Sequence, residues 1–119
     1  MPGDGRYEWT GYLPGNLLPR VYNPRDGFFA TANEYNVPDD YAYRHLTNRV
    51  GWADPYRSDR IHEVLRAGSR FSLEDMRRLQ NDYLSIPGRS LVPLLADLGT
   101  ADAAVAEGLS LLRDWNHVA

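Results

Sequence analysis

Ser72-Leu73-Glu74-Asp75-Met76-Arg77-Arg78-Leu79-Gln80 is the stretch on which the fold reading turns. Ser72 followed three residues later by Asp75 resembles a capping box, with Asp75 in place of the usual Glu. Behind it Leu73, Met76, Leu79, Gln80, Tyr83 and Leu84 recur at helical spacing, and Pro87-Gly88 is a stop signal. Reading outward, the same periodicity continues on both sides. Upstream, Ile61, Val64 and Leu65 share a face of a helix from about Tyr56 to Ala67, closed by Gly68. Downstream, Leu91, Val92, Leu94, Leu95 and Leu98 mark a third helix, with Pro93 expected in its first turn and Gly99 at its end. Val105, Leu109, Leu112 and Trp115 mark a fourth, over roughly Ala101–Trp115.

Residues 1–55 differ in kind. Six of the eight prolines lie here, at positions 2, 14, 19, 24, 38 and 55. Dense Gly and Pro punctuate loops and short extended pieces rather than long helices. Gly27–Ala32, after the turn signal Asn23-Pro24-Arg25-Asp26-Gly27, is the clearest strand candidate, and Arg20–Tyr22 is a second. The expected class is therefore α+β and helix-rich: loops and short strands over 1–55, helices over 56–119, in one domain. At 119 residues the chain has room for no more than one, burying roughly two-thirds of its unfolded surface if compact.

Composition excludes several functions. Thirteen basic residues, all Arg, stand against 16 acidic ones, for a net charge of −3. Mild acidity with scattered Arg argues against a nucleic-acid surface. Without Cys there is no disulfide, thiolate metal site or cysteine nucleophile, and without Lys no Schiff base or P-loop lysine. No apolar run approaches the roughly 18 residues of a membrane span, so no membrane partner is expected. The cysteine count leaves the compartment open.

Side-chain chemistry is sparse. His45, His62 and His117 form no metal-binding pair and suit helix edges or surfaces. Asp39-Asp40 could offer an oxygen ligand to a hard cation, but a solvated turn after Pro38 explains the pair as well. Asp54, Arg57, Asp59 and Arg60 cluster where acids favour a helix start. Pro2, if exposed by loss of Met1, would be an N-terminal secondary amine, on a loose Gly3-Asp4-Gly5 turn. Asn33, just after Phe28–Ala32, could donate a hydrogen bond to a developing oxyanion, or simply serve a turn. No G-x-S-x-G elbow or G-x-G-x-x-G loop occurs.

A resemblance goes further. Pro2-Gly3-Asp4-Gly5-Arg6-Tyr7-Glu8-Trp9-Thr10-Gly11-Tyr12-Leu13-Pro14 resembles the P-G-x-G-x-x-x-W-x-G-x-x-P block of the penicillin acylase family. Leu18–Asn33, containing Asn23-Pro24-Arg25-Asp26-Gly27-Phe28-Phe29-Ala30-Thr31-Ala32-Asn33, resembles its N-P-x-x-G-[FY]-[IL]-A-x-x-N stretch. Pro55-Tyr56-Arg57-Ser58-Asp59-Arg60-Ile61 matches P-x-R-x-x-R-I, Leu73-Glu74-Asp75 with Gln80-Asn81-Asp82 its L-x-D…Q-x-D helix, and Leu112-Arg113-Asp114-Trp115-Asn116 its L-L-x-x-W-[DN]. The resemblance implies a fragment of an αββα N-terminal-nucleophile hydrolase that cleaves amide bonds of N-acylated substrates such as β-lactams or acyl-homoserine lactones. It implies an oxyanion role for Asn33, a supporting electrostatic role for Arg57, and a calcium-ligand position near Asp40, in a loop of different length. Glu34 stands where many relatives carry a second Asn. The family's nucleophile serine lies upstream of the matched blocks; the first serine here is Ser58.

The chain then reads as an acylase segment, inactive alone. Its partners would be the small chain, the nucleophile-bearing part and an acylated amine. No cofactor would be needed for the chemistry, any structural calcium would belong to the complete enzyme, and the complete parent would be periplasmic or secreted. The competing reading is a non-catalytic interaction module built on the helices from Tyr56 to Trp115; a weaker one is a small enzyme using Pro2.

Overall fold

In this computed structural model residues 2–47, 50–96 and 98–119 are described. Among them, four α-helices carry the second half: α1 (Tyr56–Ala67), α2 (Leu73–Gln80), α3 (Ile86–Ala96) and α4 (Ala103–Asp114). α1 has the expected bounds. α2 starts at the expected capping box: Ser72 Oγ accepts from the Asp75 N–H at 3.2 Å, and the Asp75 carboxylate accepts from the Ser72 N–H at 2.8 Å. α4 is capped by Asp102, whose carboxylate accepts from Ala104 and Val105 N–H.

Pro87-Gly88 does not end α2; it opens α3. α2 stops at Asn81, whose side-chain amide bonds the Arg77 carbonyl at 2.8 Å. Ser85 then caps the next helix, its hydroxyl accepting from Gly88 N–H at 3.0 Å. Pro87 is tolerated in this first turn because it has no N–H to leave unpaired. Gly88 serves packing: a Cβ there would lie 2.6 Å from the Trp115 ring. Pro93 consequently sits inside α3, not in its first turn.

α3 packs against both α1 and α4. The C-terminal tail returns beside the α2–α3 link: Leu84 and Val118 form an antiparallel bridge, flanked by Ser85 N–H to His117 O at 2.7 Å and Ala119 N–H to Tyr83 O at 3.1 Å. Among the described residues this bridge is the whole of the β structure.

The short strands expected at Gly27–Ala32 and Arg20–Tyr22 are absent as strands. A strand needs a neighbour to satisfy its backbone, and Gly27–Ala32 lies on a helix instead. After a turn closed by Gly27 N–H to Pro24 O at 3.0 Å, with Gly27 at φ 74°, the segment runs antiparallel to α1. Asp26 pairs with Arg66, the Phe28 ring lies 5.5 Å from His62, and Ala32 meets Arg57. These are successive turns of one helix face. Phe28, Ala30 and Ala32 are turned inward and Phe29 and Thr31 outward, the period-two pattern of an extended segment.

Candidate functional site

The site is built where this segment ends. Arg57, in the first turn of α1, donates through Nη2 to the Ala32 carbonyl at 2.7 Å and to Asn33 Oδ1 at 3.0 Å. The Asn33 carbonyl in turn accepts from Ala53 N–H at 2.8 Å. Asn33 is at φ 69°, a left-handed conformation that Asn tolerates better than most side chains. Its side chain is therefore aimed by a backbone turn and gripped by a guanidinium.

That grip fixes the orientation of the amide. A guanidinium only donates, so the oxygen of Asn33 must face Arg57 and Nδ2 must face away. Nδ2 makes no hydrogen bond among the described residues, and Asn33 is exposed. A donor polarised from behind by a positive charge, and pointing outward, can hydrogen-bond an oxyanion.

The other side of Ala32 is held too. Its N–H donates to Glu34 Oε2 at 2.6 Å, and the Thr31 hydroxyl reaches the same oxygen at 3.4 Å. Partial burial pushes the Glu34 carboxyl upward, but hydrogen bonds from Ala32 N–H, its own N–H and the Ser58 and Thr31 hydroxyls outweigh it and hold the group below the usual carboxylate range. Glu34 was readable only as a carboxylate close to Asn33; nothing in its spacing showed that it bends back onto Ala32.

Behind Arg57 a cavity of about 370 Å³ opens between α1, the end of α2 and the start of α3. Arg60 and Asp82 stand in its wall. Arg60 donates to Asp82 Oδ2 through Nε at 3.0 Å and Nη2 at 2.7 Å, and Asp82 Oδ1 accepts from Leu84 N–H at 3.0 Å. Arg60 also reaches Glu63, which Arg89 of α3 holds with two bonds at 2.6 and 3.0 Å. This chain of charges latches α1 to the α2–α3 link and to α3. The Arg60 hydrogen bond holds the Asp82 carboxyl below its ordinary value; burial opposes it, and the Leu84 N–H adds to it.

The remaining sequence candidates are spread apart. Asp40 is exposed on the turn after Pro38, where Tyr41 N–H bonds Pro38 O at 3.2 Å. Among the described residues no three His, Asp or Glu side chains gather to hold a metal, so the calcium implied by the resemblance has a candidate ligand here but no site. His62 donates from Nδ1 to the Ser58 carbonyl at 2.8 Å, and His117 stacks on Trp115. Pro2 is exposed. No helix among the described residues is long and apolar enough to cross a membrane.

Comparison with known proteins agrees with the motif blocks. The family model for penicillin amidase matches residues 1–119. Penicillin acylase 2 proenzyme of Pseudomonas sp. (strain SE83) is 36% identical over 110 residues, 92% of this chain and 14% of that protein. An acyl-homoserine lactone acylase of Pseudomonas aeruginosa is 36% identical over 86 residues, 71% of this chain and 10% of its own. Penicillin G acylase of Escherichia coli is 38% identical over 48 residues, 36% of this chain and 6% of its own. The chain thus spans about one-seventh or less of these relatives, and over that length it belongs to the penicillin amidase family.

Proposed function

We propose that this chain is the segment of an N-terminal-nucleophile acylase that supplies the oxyanion donor for cleavage of the amide bond in an N-acylated substrate. The arrangement that supports this reading is the double grip of Arg57 on Ala32 O and Asn33 Oδ1, which leaves the Asn33 N–H₂ outward. When a nucleophile adds to the substrate carbonyl, its oxygen gains charge, and a fixed N–H donor lowers the barrier by meeting that charge. Arg57 holds the donor and supplies positive potential behind it.

The nucleophile serine, its α-amine and the acyl pocket come, on this reading, from the rest of an αββα enzyme. Oxyanion stabilisation without a nucleophile leaves only a residual rate enhancement, so on this reading the chain alone should show no measurable hydrolysis. Acylated amines of the β-lactam or acyl-homoserine lactone type are the substrate class, by analogy with the named relatives.

The test is a chimera in which this chain replaces the matching segment of the Pseudomonas penicillin acylase 2 proenzyme, assayed with a chromogenic acyl-anilide. The chimera should hydrolyse it. Asn33→Ala should lower kcat by about 10²–10³-fold, the effect of losing one oxyanion donor. An Asn33→Ala chimera with unchanged kcat would refute the assignment.

A further inference from the structure

We propose that Glu34 is a positioning residue for the Asn33 amide, closing with Arg57 a clasp that grips Ala32 from both sides. The proposal rests on the oxyanion reading of Asn33.

Both backbone polar groups of Ala32 are held by side chains. The Ala32 carbonyl goes to Arg57 and its N–H to Glu34 Oε2 at 2.6 Å, a short charge-assisted bond. Thr31 adds its hydroxyl to that carboxylate and accepts from Asn36 Nδ2 at 3.2 Å, tying the far side of the loop to the same point. Ala32 itself is buried. Neither peptide flanking Ala32 can therefore rotate without breaking a bond to a charged group, Glu34 on the N–H side and Arg57 on the carbonyl side.

Ser58, next to Arg57 in the first turn of α1, is buried at 6% exposure and is occupied by His62, whose Nδ1 lies 2.8 Å from its carbonyl and 3.3 Å from its hydroxyl. Arg57 thus holds the carbonyl side of Ala32 and Glu34 its N–H side. Asn33, the next residue along, inherits its orientation from both.

An Asn side chain that drifts by an ångström loses its oxyanion geometry, whereas substrate binding elsewhere is untouched. In the chimera, Glu34→Ala should lower kcat per active site by about 10- to 30-fold, with KM within about twofold. Glu34→Gln keeps an oxygen for Ala32 N–H and should recover kcat to within about threefold of the parent, a neutral acceptor being weaker than a charged one. A role in stability alone would lower yield or melting temperature in Glu34→Ala and leave kcat per active site intact, which would overturn the proposal. Equal damage from Gln and Ala would also overturn it, since charge rather than the hydrogen bond would then matter. Crystal structures of the chimera and of Glu34→Ala give a reading independent of activity. The Asn33 amide should be displaced in the variant, and an unmoved amide rejects the clasp. If instead Asn33→Ala keeps full kcat while the Glu34→Ala crystal shows a displaced amide, the oxyanion reading fails and the clasp stands.

Discussion

Arg57 does two things with one nitrogen: it satisfies a backbone carbonyl and it decides which way an amide points. Arg57→Ala removes both. In the chimera it should lower kcat by about 10- to 100-fold, less than loss of the amide itself, because Asn33 can still sample the productive orientation. KM should change little, and steady-state kinetics would show the split; a rise in KM with kcat preserved would place Arg57 in substrate binding instead. At this scale the sequence was only partly legible. Asn33 and Arg57 stood out through motif blocks, yet they are 24 residues apart and no periodicity links them. Glu34 stood out only as a carboxylate beside Asn33, because a carboxylate that turns back on the chain looks the same in sequence as one facing solvent.

The helices were legible because their apolar spacing and caps agree locally. The boundary between α2 and α3 was not, because Pro-Gly punctuates a helix at either end. The caps at Asn81 and Ser85 set it, and Gly88 answers to Trp115, nearly thirty residues on, whose ring occupies the space a Cβ at position 88 would need. Gly88→Ala should therefore cost about 1–3 kcal/mol, read as a lowered thermal midpoint of the chimera, with Trp115→Ala in the same background relieving part of it. The Arg60–Asp82 latch has a pH signature. Its carboxyl is held below the ordinary 3.8, so its stabilisation is fully present above that value and disappears as pH falls through the lower folded value. Asp82→Asn should cost about 1.5–3 kcal/mol near neutrality, and the cost should vanish in strong acid; denaturant titrations at several pH values would show it. The Gly27–Ala32 segment, a strand candidate from its turn signal, alternates as an extended segment does but packs on a helix and not on a second strand. Period two reports which side chains face inward, not whether a sheet or a helix receives them.

The molecule as a whole is open. Its radius of gyration is 21.3 Å and its extents are 62 × 45 × 25 Å. A compact chain of this length would have a radius near 13.5 Å. It exposes 10082 Å², where a compact 13.5 kDa protein exposes roughly 6,500 Å². Ala32, Val92 and Leu109 are the buried apolar residues among those described, while Trp9, Tyr12 and Tyr22 stand 86, 91 and 96% exposed. Such a surface, in a family segment of about one-seventh length, suits a piece covered by other segments. The isolated chain should therefore bind a hydrophobic dye and self-associate at micromolar concentration. Light scattering after size exclusion would show this, and a stable, dye-silent monomer would favour the interaction-module reading. The tether from α1 to the Asn33 loop also sets an order of events. Arg57 lies 25 residues beyond Ala32, and closing a loop of that size costs only slightly more than closing one half as long. The loop therefore waits on helix formation rather than on chain entropy: α1 must exist before Asn33 can settle. During synthesis, the residue that emerges earlier is the one that matures later.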